Sequence, residues 1–238
     1  MSKVKILHLY AEAMDLYGDV KNLEAICHRI RESGNEVTVD TCEIWDDMQL
    51  EGYDMVYVGH GKARNLAAVS EHFVKYGAQI KEQIENGQLW FVTGNARALF
   101  GKDFTTVDGK SLSGIGLFDY SAVEQNKVFV ADMIATAVFD PAVRCYGFAN
   151  RTAYLQHPNG NQHPLFRDAK GFGDGEKEDG CEGTLYHNFF GTWAMGPVLL
   201  RNPAFLKEIL SRLGIDCSGC DFALEEQAIQ LVLAEFNK

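Results

Sequence analysis

Residues 89–102 read LWFVTGNARALFGK, and the arrangement of the whole chain follows from this stretch. Leu89, Trp90, Phe91 and Val92 form an unbroken apolar run, which suits a strand buried on both faces. Thr93-Gly94-Asn95-Ala96 follows at once, and glycine there lets the chain turn sharply from strand into helix. Such a turn projects its apex residue and points a helix N-terminus at any negative charge developing beside it. Amide hydrolysis at an elbow of this kind needs a thiolate or an activated hydroxyl with a base in reach, and Gly94 supplies neither.

Upstream, residues 4–10 (VKILHLY), 36–42 (EVTVDTC) and 54–58 (DMVYV) read as three more strands. Between them, residues 19–33 carry Val20, Leu23, Ile26, Cys27 and Ile30 at helical spacing, with Asp19 placed to cap that helix. Residues 66–86 have the same periodicity up to Gly87. Strands alternating with helices across short loops predict an α/β fold with a mostly parallel sheet flanked by helices. Ligands in such folds bind at the carboxyl ends of the strands, which selects the loops at 11–18, 59–65 and 93–97.

Beyond Gly101 the pattern changes to short strands separated by turn residues, at 128–130, 142–148 and 152–156, which predicts antiparallel additions in the second half. Residues 171–183, rich in Gly, Asp and Glu, read as a solvated loop. Two helices, 203–213 and 222–236, close the chain. With no repeat and no linker, the expectation is a single domain spanning residues 1–238.

The composition excludes several functions. Lys and Arg number 22 against 33 Asp and Glu, a formal net charge of -11 over 238 residues, so the overall field repels nucleic acid and anionic membranes. No apolar run approaches the roughly 20 residues of a membrane span, and no signal-peptide core precedes the first strand. Six scattered cysteines fit a reducing cytoplasm better than a disulfide scaffold. Cys217 and Cys220 form one C-x-x-C, readable as free thiols, a redox pair or half of a zinc site. No partner motif completes a metal site, and no cofactor is expected.

Gly59-His60-Gly61 follows the third strand, where its backbone N–H groups suit either a tight turn or an oxyanion hole. His60 is a candidate base or a solvated loop residue. Arg151 is a candidate carboxylate ligand or a surface ion pair. Tyr17 and Trp193 are candidates for a pocket wall or for the core. The acidic run 174–182 reads as solvated, with a metal as the less favoured alternative.

Five further segments then align with one family. Residues 15–22 (DLYGDVKN) are similar to N-L-Y-G-D-x-x-N, 59–64 (GHGKAR) to G-G-G-x-D-R and 147–150 (GFAN) to G-F-E-N. Residues 182–188 (EGTLYHN) are similar to E-G-x-x-Y-x-N and 191–197 (GTWAMGP) to G-T-Y-L-H-G-P. The elbow segment 94–102 (GNARALFGK) stands where that family has C-G-G-Y-Q-x-L-G-K. The chain thus resembles the class I glutamine amidotransferases of the cobyric acid synthase and GatD type, over almost its whole length.

The resemblance implies a flavodoxin-like fold and places the family's catalytic cysteine on Gly94 and its histidine on Met195. A one-residue slip would instead set Thr93 at the elbow. The family's glutamate and glutamine side chains fall on Ala149 and Ala98. The pocket implied in this way comprises Gly59, His60, Gly61, Thr93, Gly94, Asn95, Arg97, Asn150, Arg151, Trp193 and Met195.

Two functional expectations follow from the resemblance. One is a catalytically inactive cytoplasmic subunit or binding module, partnering a Mur-ligase-like ATP-dependent enzyme in cell-wall amidation or a related pathway and open to a small-molecule ligand in the vacated glutamine pocket. The alternative is an active glutaminase, an ammonia donor for lipid II or a cobyrinate-type substrate, with Thr93, Cys145 or Cys181 as nucleophile. A different reaction with His60 or His187 as base is a third possibility.

Overall fold

The computed structural model describes residues 2–236, whose strands fall into two six-stranded sheets. In the first half lie β1 (Lys3–Leu9), β2 (Glu36–Cys42), β3 (Met55–Val58), β4 (Leu89–Thr93), β5 (Asp103–Thr105) and β6 (Ser111–Ser113). The second half holds β7 (Ser121–Ala137), β8 (Arg144–Gln156), β9 (Phe166–Lys170), β10 (Cys181–Glu182), β11 (Thr184–Tyr186) and β12 (Phe189–Thr192). The helices are α1 (Lys21–Glu32), α2 (Leu66–Lys75), α3 (Gly77–Glu85), α4 (Val198–Arg201), α5 (Pro203–Arg212) and α6 (Ala223–Phe236).

The first sheet has the order β11-β12-β4-β3-β1-β2, parallel from β12 through β2, with β11 antiparallel on its edge. Every residue of β3, β4 and β12 is buried, as a strand covered on both faces requires. Helix α1 packs against α4 and α5, and α2 against α3. Leu23, Ile26 and Ile30 form the buried stripe of α1, each worth roughly 1.5–3 kcal/mol of burial. No helix among the described residues is long and apolar enough to cross a membrane.

The second sheet is antiparallel except for β5 on β7, as the turn-rich second half leads one to expect. The three short strands read from sequence are, however, parts of two long ones of 17 and 13 residues, β7 and β8, which pair across a bulge between Glu124 and Phe129. Cross-strand pairing carries both chains through polar residues that read locally as turns.

Three other expectations are corrected. The single helix at 66–86 is two, α2 and α3, broken at Tyr76 and Gly77, where Ile115 packs so closely that a Cβ on Gly77 would stand 3.0 Å from it. Asp19 does not cap α1: Val20 is the N-cap residue, and the Asp19 carboxylate is drawn into the sheet's carboxyl end. The segment 171–183 is solvated only in its middle: Glu176, Lys177, Glu178 and Asp179 are exposed, but Asp174 and Glu182 are fully buried.

Candidate functional site

β4 ends at Thr93 in extended conformation (φ -119°, ψ 150°), and Gly94 then takes φ +58° to enter the short 3-10 segment Gly94–Phe100. This is the strand-to-helix elbow expected from sequence, with its apex at the glycine. L-residues rarely adopt such a φ without strain, so the position suits Gly or a residue held there at a cost.

Gly59, His60 and Gly61 stand directly across from the elbow at the end of β3. The His60 imidazole lies over Gly94 so closely that a Cβ built there would be 2.5 Å from His60 Cγ and 2.7 Å from its Cβ. The ring therefore occupies the volume that a side chain at position 94 would need. Asn95 donates its backbone N–H to His60 Nδ1 (3.0 Å), and Gly61 donates its own to Asn95 Oδ1 (3.0 Å), while Asn95 Nδ2 donates to the Gly61 carbonyl (2.8 Å). Both N–H groups suited to an oxyanion are thus engaged within the protein.

Burial pushes the His60 pKa down to about 4, so the ring is neutral near pH 7, accepts at Nδ1 and carries its proton on Nε2. Tyr17 stacks on it at 6.1 Å and 13°. Beneath the elbow, Asp19 accepts the His60 backbone N–H (2.9 Å), the Tyr57 hydroxyl (2.8 Å) and the Thr93 hydroxyl, and Asn22 Nδ2 donates to its other oxygen (2.9 Å). Burial raises the Asp19 carboxyl above the usual range in spite of these bonds. This one side chain pins the ends of β3 and β4 to the start of α1.

Met195 is buried, its backbone N–H donated to the Phe148 carbonyl (2.8 Å), and Ala149 beside Phe148 is buried too. His187 lies at the amino end of β12, half exposed and 3.4 Å from Glu85, whereas the elbow is at the carboxyl end of the neighbouring strand. Cys145 is buried, and burial pushes its thiol up to about 12.

A cleft of about 310 Å³ opens beside the elbow, bordered by Tyr17, His60, Asn95, Asn150, Arg151 and Trp193. Gly61 also lines it, while Gly59, Thr93, Gly94, Arg97 and Met195 do not. Arg151 is neither a surface residue nor in an ion pair. Its two terminal nitrogens donate to the carbonyls of Ala153 (2.7 Å), Gly173 (2.9 Å), Asp174 (3.2 Å) and Gly175 (2.8 Å). Burial lowers its pKa. Its Nε and the Trp193 Nε1 are buried without an acceptor.

Arg97 is fully buried away from the cleft. It holds Asp174 through both terminal nitrogens and also reaches Glu182 Oε1 (3.2 Å) and Thr184 (3.1 Å). Burial alone would raise Asp174, but the Arg97 guanidinium outweighs it and keeps this carboxylate well below its usual range. Glu182, pushed upward by burial and by the Asp174 charge, accepts the Trp193 N–H (2.6 Å) and the Thr192 hydroxyl (2.7 Å). The two ends of the acidic run, Asp174 and Glu182, therefore form a buried clamp joining the elbow segment to β12. Among the described residues no group of three His, Cys, Asp or Glu side chains is placed to hold a metal ion.

The fold and the elbow together are those of the class I glutamine amidotransferases. The chain belongs to the CobB/CobQ-like glutamine amidotransferase domain family, whose model matches residues 5–203. It is 26% identical to the Staphylococcus aureus (strain N315) lipid II isoglutaminyl synthase (glutamine-hydrolyzing) subunit GatD, over all of this chain and 98% of that one. It is 29% identical to the Streptococcus pneumoniae (strain ATCC BAA-255 / R6) GatD subunit, over 84% of this chain and 76% of that one.

Among solved structures, a glutamine amidotransferase superimposes with a TM-score of 0.57 at 14% identity, covering 88% of this chain and 99% of its own. The acivicin-bound glutaminase domain of Trypanosoma brucei CTPS gives 0.56 at 10% identity, covering 90% and 95%. These two likenesses speak to fold alone.

Proposed function

We propose that this protein is a cytoplasmic glutamine amidotransferase-like subunit that does not hydrolyse glutamine and that serves a Mur-ligase-like ATP-dependent enzyme in cell-wall amidation as a binding module. One observation carries the reading. The His60 ring fills the space of a side chain at position 94 and takes the Asn95 N–H that would otherwise receive an oxyanion. Nucleophile and base act as a unit, so losing both removes the reaction rather than slowing it. The subunit role rests on the two GatD relatives, each a subunit of a lipid II isoglutaminyl synthase.

The same reading gives the cleft a ligand. Tyr17, His60, Asn150 and Thr152 line the cleft and offer polar side-chain groups to a small molecule. A substitute glutaminase is the competing reading, and Thr93 is its weakest point: fully buried in β4, its hydroxyl is already given to Asp19.

The test is the protein co-purified from its host with whatever ligase-like partner accompanies it. No ammonia from glutamine and no adduct with a diazo-ketone glutamine analogue are expected, and an ATP-dependent ligase-like protein should be recovered. Ammonia release that stops when the labelled residue is substituted would overturn the inactive reading; recovery without any ligase-like partner would overturn the subunit reading.

A further inference from the structure

Cys217-Ser218-Gly219-Cys220 is a four-residue turn leading from α5 toward α6, closed by a hydrogen bond of 3.0 Å from the Cys220 N–H to the Cys217 carbonyl. The end residues of a β-turn have Cα atoms within about 7 Å of each other, a separation a disulfide spans. Both cysteines are partly exposed, as is Cys181 on β10, whereas Cys27, Cys42 and Cys145 are buried.

The turn also seats α6. The Cys220 thiol donates to the Arg29 carbonyl of α1 (3.7 Å), the Asp221 N–H to Glu32 (3.1 Å), and the Arg29 guanidinium lies over Phe222 at 4.2 Å while pairing with Glu225 on α6. Nothing in the elbow or the cleft uses this dithiol.

We propose that Cys217 and Cys220 form a redox-active dithiol that exchanges with small-molecule disulfides and closes to an intramolecular disulfide across the turn. In the first step the Cys220 thiolate attacks one sulfur of the small disulfide; a new S–S bond forms as the old one breaks, and one small thiolate leaves. The Cys217 thiolate then attacks the Cys220 sulfur and expels the second. Both protein thiols are oxidised, the small disulfide is reduced to two thiols, and these take up the two cysteine protons. Burial and the neighbouring thiol push the Cys217 thiol up, so closure becomes faster as pH rises. Closure also withdraws the Cys220 donor from Arg29, so the oxidised turn holds α1 differently.

The freshly reduced full chain, incubated with oxidised glutathione and then alkylated after unfolding, tests this. Of its six cysteines only four should take the alkyl group, and peptide mapping should find Cys217 joined to Cys220. Cys217→Ser should instead hold a lasting glutathione adduct at Cys220. Six alkyl groups after oxidation, a lasting adduct on Cys217 or Cys220 of the wild type, or a bond from either to another cysteine would overturn the proposal, and the wild-type mapping decides it even if the variant folds poorly.

Discussion

The close approach of His60 to Gly94 makes a double-mutant cycle informative. Gly94→Ala places a Cβ at φ +58°, which costs an L-residue about 1–2 kcal/mol, and sets it 2.5 Å from His60 Cγ, an overlap of the kind that costs about 1–3 kcal/mol in a packed site. The single variant should therefore lose about 2–5 kcal/mol. His60→Gly alone should cost about 1–3 kcal/mol, since it leaves the Asn95 N–H without its acceptor. In the double variant the overlap is gone, while the backbone strain and the unpaired Asn95 N–H persist. The two losses should then sum to more than the double variant shows, by about 1–3 kcal/mol. Urea unfolding followed by circular dichroism, with the slope m unchanged across the four proteins, measures this. Additivity within about 0.5 kcal/mol would refute the claim that the imidazole occupies the elbow side chain's place.

Other outcomes follow from the same contacts. Arg97→Met should destabilise by about 3–5 kcal/mol in urea unfolding, because it strands Asp174 and Glu182 together in the interior. His60 is held near 4 in the folded protein against about 6.5 in the unfolded chain, so the unfolded state binds a proton that the folded state refuses. Its contribution is full above pH 6.5 and is lost as pH falls toward 4. Stability of the wild type relative to His60→Gln, measured by unfolding at each pH, should fall by up to about 3 kcal/mol over that window. His8, lowered by burial in the same way, should leave the variant with acid sensitivity of its own. Asn202→Ala should cost about 1–3 kcal/mol in thermal or urea unfolding, since the side chain alone bridges the Tyr146 N–H and carbonyl to the Val198 carbonyl.

Much of the first sheet is legible locally. Buried parallel strands must be apolar along their length, so β1, β3 and β4 announce themselves, and glycine after β4 marks the turn. β12 does not, because Phe189–Thr192 is four residues long and lies beside β4 only through pairing with residues about a hundred positions away. Polar segments mislead for a related reason. Asp174 and Glu182 look like solvated acids in a Gly-rich run, and only the arrival of Arg97 from the elbow segment makes their burial tolerable. Asp19 looks like a cap and Arg151 like a surface cation until sheet ends and loop carbonyls converge on them.

For the site the division is sharper. Residue identity alone establishes that Gly94 carries no nucleophile and Met195 no base, since chemistry of that kind is a property of the side chain. That His60 should stand in for the missing side chain could not be read from the chain, because positions 60 and 94 meet only when β3 and β4 pair in register and both loops leave from the same end of the sheet. Sequence determines which groups are present; burial and pairing across the sheet decide which backbone donors they occupy.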